Sequence, residues 1–245
     1  MTYNRPMHKV SIRKHIVERV IARRGDIHWF ERLDAAKTAL LVIDMQNTFC
    51  MPGAPGEVPL SREIVPNINR LAGRLRAMKV PVIWVVHANT VSAGRTDWEV
   101  FFNHVVRSPE VRKRMAESLS PAKQEVWHAL ERRPEDVVVV KNRYSALAHG
   151  SSTLERVLRN LGVDTVLVAG TKTNVCCDST ARDAMMLDFK SVMLSDCCAA
   201  LSDDEHLASL ETFIQQFGDV MSADEALARL GAPATAREPA ASTAA

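Results

Sequence analysis

The chain has 245 residues, of which 47% are hydrophobic and 24% charged, and its formal net charge at pH 7 is +2. This length suits one large α/β domain or two small ones, with ample apolar side chains for a packed core. A net charge so close to zero gives no reason to expect a nucleic-acid partner or a membrane surface, and no apolar run approaches the ~20 residues that a membrane helix needs.

Residues 1–30 are predicted to form an N-terminal amphipathic helical arm. Ile16, Val17 and Val20 fall on one helical stripe, and Gly25 provides a stop signal. The segment contains no uninterrupted apolar stretch, so a secretory signal is not expected. Such an arm would pack on its own domain or contact another subunit.

Five short apolar runs rich in β-branched residues follow, and they are typical of strands buried on both faces of a parallel sheet. Helical stretches separate them. This alternation predicts a three-layer, doubly wound α/β domain over residues 31–232, with a mostly parallel sheet and helices on both faces. The predicted strands are Thr38–Asp44, Val80–His87, Asp136–Lys141, Asp164–Gly170 and Lys190–Asp196, and the predicted helices span 61–79, 151–162, 174–188 and 203–218.

Two segments fall outside the alternation. Residues 88–130 are long, polar and partly helical, and an insertion that follows a strand's carboxyl end often covers a site. We therefore expect a cap or lid there. Residues 233–245 are rich in Ala, Pro and Thr, and we expect them to be a disordered tail.

Reactive side chains stand at the ends of three predicted strands. Asp44 ends the first, Lys141 ends the third, and Cys176 follows the fourth at the start of a helix. The carboxyl ends of the strands form the usual ligand crevice of such a sheet. Alone, each residue has an ordinary explanation: a turn cap, a solvated lysine and a small core residue.

Together the three residues suggest a nucleophile with its base. The helix N-terminus and a nearby ammonium favour the thiolate of Cys176. Asp44 would receive the thiol proton, and Lys141 would hold that carboxylate ionised until it acts.

Other chemistries lack their sequence patterns. There is no G-x-G-x-x-G, no G-x-x-x-x-G-K-[ST] and no G-x-S-x-G. The adjacent pairs Cys176–Cys177 and Cys197–Cys198 lack zinc-knuckle spacing, and His87 has no second ligand at a suitable distance in its strand. An odd count of five cysteines also argues against a disulfide framework. We therefore expect no metal, no cofactor and a reducing, cytoplasmic setting.

Three ordered blocks, "LLVIDMQNTF", "VVVKNRYSAL" and "VLVAGTKTNVCCDSTARDA", resemble the isochorismatase-like cysteine hydrolases over Thr38 to Val220. The resemblance implies amide hydrolysis by an Asp–Lys–Cys triad, which maps onto Asp44, Lys141 and Cys176. Cys177 takes the following position, which is usually apolar. The patterns "K-x-R-Y-S" and "T-N-V-C-x-x-S-T-x-R-D" are most similar to ureidoacrylate amidohydrolases.

The resemblance also implies a cis peptide bond between Thr171 and Lys172. In that arrangement, the backbone N–H groups of Lys172 and Cys176 form an oxyanion hole. Metal-binding relatives show an Asp-x-His after the second strand, where this chain has "HANTVSAG", and this difference disfavours a metal-assisted nicotinamidase. Lys172 replaces a residue that is usually small or apolar, so its side chain either faces the pocket or points to a subunit contact or solvent.

Several residues are candidates for substrate contact. Asn47 and Tyr144 either orient the substrate or pack behind the site, and Gln215 lies in a region that bears on substrate identity. The aromatic residues either line the cavity wall or belong to the core; they are Trp84, Trp98, Phe101 and Phe102. Relatives commonly form dimers or tetramers, so the resemblance implies a homo-oligomer.

The resulting hypothesis is a hydrolase that attacks a small amide, ureido or N-carbamoyl substrate through a covalent acyl-enzyme, with ureidoacrylate-like compounds favoured. True isochorismatases lack the nucleophilic cysteine, so Cys176 argues against vinyl-ether cleavage. Three alternatives stay open: a simple carboxamidase, a vinyl-ether hydrolase and a binding protein that has kept the scaffold.

Overall fold

The computed structural model describes residues 8–231, and it confirms the predicted three-layer α/β fold. The first seven residues of the predicted arm and the predicted tail 233–245 lie outside the described residues. The strands are β1 (Thr38–Ile43), β2 (Val82–His87), β3 (Val91–Ser92), β4 (Arg95–Thr96), β5 (Val137–Lys141), β6 (Thr165–Thr171), β7 (Lys190–Ala199) and β8 (Asp219–Met221). The α-helices are α1 (Lys14–Arg24), α2 (Asn47–Cys50), α3 (Val65–Ala77), α4 (Pro109–Ser118), α5 (Leu154–Asn160), α6 (Asp178–Met186), α7 (Asp203–Gln216) and α8 (Ala223–Gly231).

The central sheet has six parallel strands in the order β5-β2-β1-β6-β7-β8. The chain first builds outward from β1 through β2 to β5, and it then returns to the other side of β1 with β6. The strand order therefore reverses between β1 and β6. In open α/β sheets the ligand crevice lies at such a reversal, beyond the carboxyl ends of the strands.

Two apolar cores hold the layers together. Side chains from α1, α5, α6 and α7 pack on one face of the sheet, while α3 and α8 pack on the other. Successive strand residues point to opposite faces, so Leu41 joins the first core and Leu40 joins the second. All six residues of β1 are buried, which explains its unbroken apolar sequence.

Helix α1 packs against α7 of its own chain. Ile16 and Val20 belong to the first core, and the Arg13 guanidinium pairs with the buried Glu211 carboxylate. The helix ends at Gly25, which has a φ of 84°, a left-handed conformation that glycine adopts without steric cost.

Residues 88–130 follow β2, and the end of this unit packs against the second core through Val126, Trp127 and Leu130. They contain the β3–β4 hairpin, a π-helical turn at Phe101–Val105 and helix α4. A third, smaller apolar cluster, which we call the lid cluster, holds this unit together; its buried members are Phe101, Phe102, Val106, Met115 and Leu119. Within residues 8–231, no helix has the length and hydropathy required to cross a membrane.

Candidate active site

The three side chains predicted to react meet at the carboxyl edge of the sheet. Asp44 directly follows β1, Lys141 is the last residue of β5, and Cys176 lies in the turn after β6. Lys141 Nζ is 2.9 Å from Asp44 Oδ2, and the charges of both groups act on the pKa of the Cys176 thiol. Asp44 and Lys141 are fully buried, and Cys176 is 5% exposed. A thiol, a carboxylate and an ammonium thus share one desolvated cluster.

A glycine allows β6 to approach the end of β1 closely. Gly170 has a φ of 117°, and a Cβ atom there would lie 2.0 Å from the carbonyl oxygen of Ile43. The next residue of that strand end, Asp44, has a φ of 54°, a conformation that Asp tolerates better than β-branched residues. The close approach brings the turn after β6 against the Asp44 carboxylate.

Cys176 lies in a π-helical turn, Thr173–Cys177, that runs directly into α6. The peptide bond between Thr171 and Lys172, just before this turn, is cis. Helix α7 anchors the turn from the other side, because Thr173 Oγ1 lies 2.8 Å from Nδ1 of the buried His206. The thiol is therefore held by packed secondary structure and not by a free loop.

Burial dominates the electrostatics of the cluster. It raises the pKa of the Asp44 carboxyl, although the Lys141 ammonium opposes this. Burial alone would lower the pKa of Lys141, but the Asp44 and Cys176 charges outweigh it and the pKa is raised. Burial and the Asp44 charge raise the pKa of the Cys176 thiol to about 12. The cluster therefore favours the thiol form of Cys176, against the stabilisation of the thiolate that the helix N-terminus was expected to provide.

His87 is a site residue that the sequence analysis treated as isolated. Lys141 Nζ donates to its Nδ1 over 3.2 Å, and its Nε2 donates to Asn89 Oδ1 over 2.9 Å. Burial and the Lys141 charge hold the pKa of His87 well below its ordinary value, so the ring is neutral and accepts from the ammonium. Its position offered a usable signal: β2 lies between β5 and β1, and His87 pairs in register with Lys141.

A cavity of ≈ 260 Å³ opens onto Cys176. Its wall is mostly apolar, and four of its fifteen lining residues belong to the lid cluster. The polar or titratable groups that line it are Glu57, His87, Tyr144, Lys172 and Cys176. The volume is below the ~300–1,000 Å³ of pockets that hold drug-sized ligands, so it suits a small molecule.

The cavity contains two of the predicted substrate-contact residues. Tyr144 and Lys172 both line it. Phe101 also lines the wall, whereas Phe102 and Trp98 pack within or against the lid cluster.

Three other substrate-contact predictions are corrected by the structure. Trp84 is buried in the second core, where its Nε1 donates to Asp136 over 2.8 Å. Gln215 lies beside α1 and accepts a hydrogen bond from Arg19. Asn47 lines a neighbouring surface depression and not the cavity at Cys176.

The predicted absence of a metal site rested on the missing second ligand for His87. Within residues 8–231, no group of three or more His, Cys, Asp or Glu side chains is arranged to hold a metal ion. The two ring nitrogens of His87 already bond to Lys141 and Asn89.

Comparison with known proteins places these features in context. A model of the isochorismatase domain family matches residues 38–225. A probable inactive nicotinamidase of Arabidopsis thaliana is 34% identical, with 71% of this chain and 86% of the relative covered. The ureidoacrylate amidohydrolase of Methylobacterium radiotolerans is 30% identical, with 80% of this chain and 81% of the relative covered. The crystal structure of a cysteine hydrolase from Pseudomonas syringae pv. phaseolicola matches with a TM-score of 0.69 at 33% identity, covering 81% of this chain and 94% of that one.

Proposed function

The chain belongs to the isochorismatase family of hydrolases, and from that premise we propose that it is a cysteine-dependent amidohydrolase. It cleaves a C–N bond of a small amide, ureido or N-carbamoyl substrate through a covalent acyl-enzyme, with ureidoacrylate-like compounds favoured. The observation that carries the proposal is that Cys176 is nearly buried, lines the cavity and has a thiol whose pKa is affected by the charges of both Asp44 and Lys141. The similarity to a ureidoacrylate amidohydrolase adds support.

The first step joins Cys176 to the substrate. The Asp44 carboxylate removes the thiol proton while the sulfur attacks the carbonyl carbon, so an S–C bond forms and the carbonyl oxygen becomes an oxyanion. Lys141 remains charged beside Asp44 and stabilises the developing thiolate. The proton moves within the buried cluster, so the high pKa of the thiol does not prevent the reaction.

The oxyanion is held by backbone N–H groups. In this proposal they belong to Lys172, which follows the cis peptide bond, and to Cys176 itself. Preorganised donors of this kind contribute roughly 3–4 kcal/mol each in other hydrolases, so their placement matters as much as the nucleophile does.

The second half of the reaction releases the products. Asp44 returns its proton to the departing nitrogen as the C–N bond breaks, which leaves a thioester or thiocarbamate on Cys176. Asp44 then takes a proton from water as the oxygen attacks the acyl carbon, the S–C bond breaks, and Asp44 gives that proton to the departing sulfur, which restores the thiol and the carboxylate. A ureido substrate cleaved at its terminal nitrogen gives a carbamate that decomposes to an amine and carbon dioxide.

A substrate panel tests the proposal. We expect ammonia release from at least one member of a set containing carboxamides, N-carbamoyl acids and ureidoacrylate, and no turnover of a vinyl ether. Mass spectrometry of the acid-quenched enzyme should find the acyl adduct on the peptide that contains Cys176. Turnover of the vinyl ether alone, or ligand binding without turnover of any member, would replace the proposal with one of its alternatives.

The pH dependence of kcat/KM is expected to lack a thiol ionisation. Activity should rise as Asp44 loses its proton, with a midpoint above the ordinary carboxyl pKa of ~3.9 because the pKa of Asp44 is raised. It should then stay level across ~8.5, the ordinary thiol pKa, because the pKa of Cys176 is about 12 and Asp44 accepts its proton directly. Steady-state rates between about pH 4 and 10, which span the ordinary carboxyl and thiol pKa values, measure this, and an ascending limb near pH 8 contradicts it.

A further inference from the structure

Lys172 places an uncompensated positive charge at the cavity. Lys172 lines the cavity and is half-buried, and among residues 8–231 its side chain has no acidic partner. The ammonium is close enough to Cys176 to lower the pKa of the thiol in part. A half-buried ammonium beside a largely apolar wall is stabilised by an anion that comes with the ligand.

The other charged groups of the cavity are already neutralised. Glu57 pairs with Arg62 at 2.9 Å and accepts from the Gly53 N–H at 2.7 Å. Asp44 pairs with Lys141, and His87 is neutral. Since Cys176 is protonated at rest, the net charge that a ligand meets comes from Lys172.

The rest of the cavity wall is mostly apolar and incompletely covered. Phe101, Val106 and Met115 of the lid cluster line it. At its mouth, Val105 is 64% and Leu201 is 51% exposed. Burying such surface on binding is favourable in proportion to the apolar area that leaves water. A ligand with an aliphatic or aromatic group would cover it.

These two features occur in one cavity and select one kind of molecule. Building on the hydrolase function above, we propose that the substrate is an N-carbamoyl amino acid, or a closely similar amide, that carries a free carboxylate and an apolar side chain. Lys172 binds the carboxylate, and the lid cluster binds the side chain. Like ureidoacrylate, such a molecule joins a carbamoyl group to a free carboxylate, and its apolar side chain adds contact with the lid cluster.

Three matched ureas separate the two contributions. N-carbamoyl-leucine has both groups, N-carbamoylglycine lacks the side chain, and (3-methylbutyl)urea lacks the carboxylate. We expect kcat/KM for N-carbamoyl-leucine to exceed both others by about 10-fold or more, as a charge-assisted hydrogen bond or a buried side chain provides. Equal values for the leucine and glycine compounds would overturn the role of the wall.

Variants of Lys172 test the anion contact. Lys172→Met should lower the ratio of kcat/KM for N-carbamoyl-leucine to that for (3-methylbutyl)urea by about 10–100-fold, while Lys172→Arg retains most of it. Lys123→Met is the matched control, because it removes the same charge from an exposed position outside this cavity. An unchanged ratio in Lys172→Met would overturn the proposal.

An alkylation experiment reads the same contact without turnover. Iodoacetate and iodoacetamide differ chiefly in charge, and their rates at Cys176 can be normalised to those at glutathione. We expect the wild type to favour iodoacetate by about 10-fold relative to glutathione, and Lys172→Met to lose that preference. Preference without turnover of any panel member would mean that the hydrolase function fails while the anion site stands. Absence of preference in the wild type would overturn the anion site, whatever the turnover.

Discussion

Replacing Cys176 with alanine is expected to abolish turnover while leaving the fold intact. We expect kcat to fall by on the order of 10⁴–10⁶-fold, as when the nucleophile of another covalent hydrolase is removed, because neither Asp44 nor Lys141 can form the bond to the acyl carbon. Only one sulfur atom is lost from the first core, so the free energy of unfolding should change by less than about 2 kcal/mol. Ammonia release and urea denaturation measure the two effects.

The adjacent cysteine provides the matched control. Cys177 is fully buried, and its Sγ lies 3.9 Å from the Ala169 carbonyl oxygen instead of at the cavity. Cys177→Ala should cost about 1 kcal/mol of stability, typical of a small core deletion, and leave turnover within about threefold. Full turnover in Cys176→Ala, or loss of turnover confined to Cys177→Ala, would show that the nucleophile is assigned to the wrong sulfur.

Replacing Lys141 with methionine is expected to weaken both catalysis and stability. The Asp44 carboxylate would lose its buried counter-ion, so it would take up a proton at neutral pH and no longer act as a base. We expect kcat to fall about 10²–10⁴-fold, the usual contribution of a general base, and the free energy of unfolding to fall by about 3–5 kcal/mol, as for other broken buried ion pairs.

A surface pair provides the control for Lys141→Met. Lys190 lies 3.6 Å from Asp164, and both side chains are partly exposed, so Lys190→Met should cost no more than about 1 kcal/mol. In Lys141→Met, the raised pKa of Asp44 means that the folded state binds a proton more tightly than the unfolded state does. The stability deficit should therefore grow as pH rises above ~3.9. A deficit that shrinks as pH rises would contradict this account of the pair.

The sequence was sufficient to predict the sheet and its reactive edge. A strand buried on both faces has a continuous apolar sequence, so it can be recognised without the structure. The residue that follows such a strand lies at the carboxyl edge of the sheet. Asp44 and Lys141 could therefore be placed together before their distance was known. The family resemblance made the same assignment and also identified Cys176 over Cys177.

A continuous apolar sequence does not indicate which face of the sheet each strand residue points to. In β2 every residue is buried, so no alternation distinguishes the face of Trp84 from that of Ile83, and Trp84 belongs to the core opposite the first one. His87 was missed because a lone histidine at a strand end has no partner in the local sequence; its partner Lys141 comes from a neighbouring strand. Side-chain reach between strands is a property of strand order, which periodicity alone does not supply.

Strand ends were the least predictable part of the sheet. β7 runs to Ala199, three residues beyond its predicted end at Asp196, after a register shift against β6. β8 has only three residues, too few for a periodic signal, and it forms because α7 returns the chain to the edge of β7. Both differences arise from tertiary pairing.

The reactive groups and part of the cavity wall come from two regions of the chain that tolerate mutation to different degrees. The thiol, carboxylate and ammonium stand on the rim of a tightly packed sheet, whereas five of the fifteen residues that line the cavity come from residues 88–130, which contain a small apolar cluster of their own. Mutations in that segment can therefore alter which molecules are admitted without disturbing the bond-breaking groups. Such modularity makes this segment the natural place for evolution, or for an engineer exchanging it as a cassette, to retarget the scaffold.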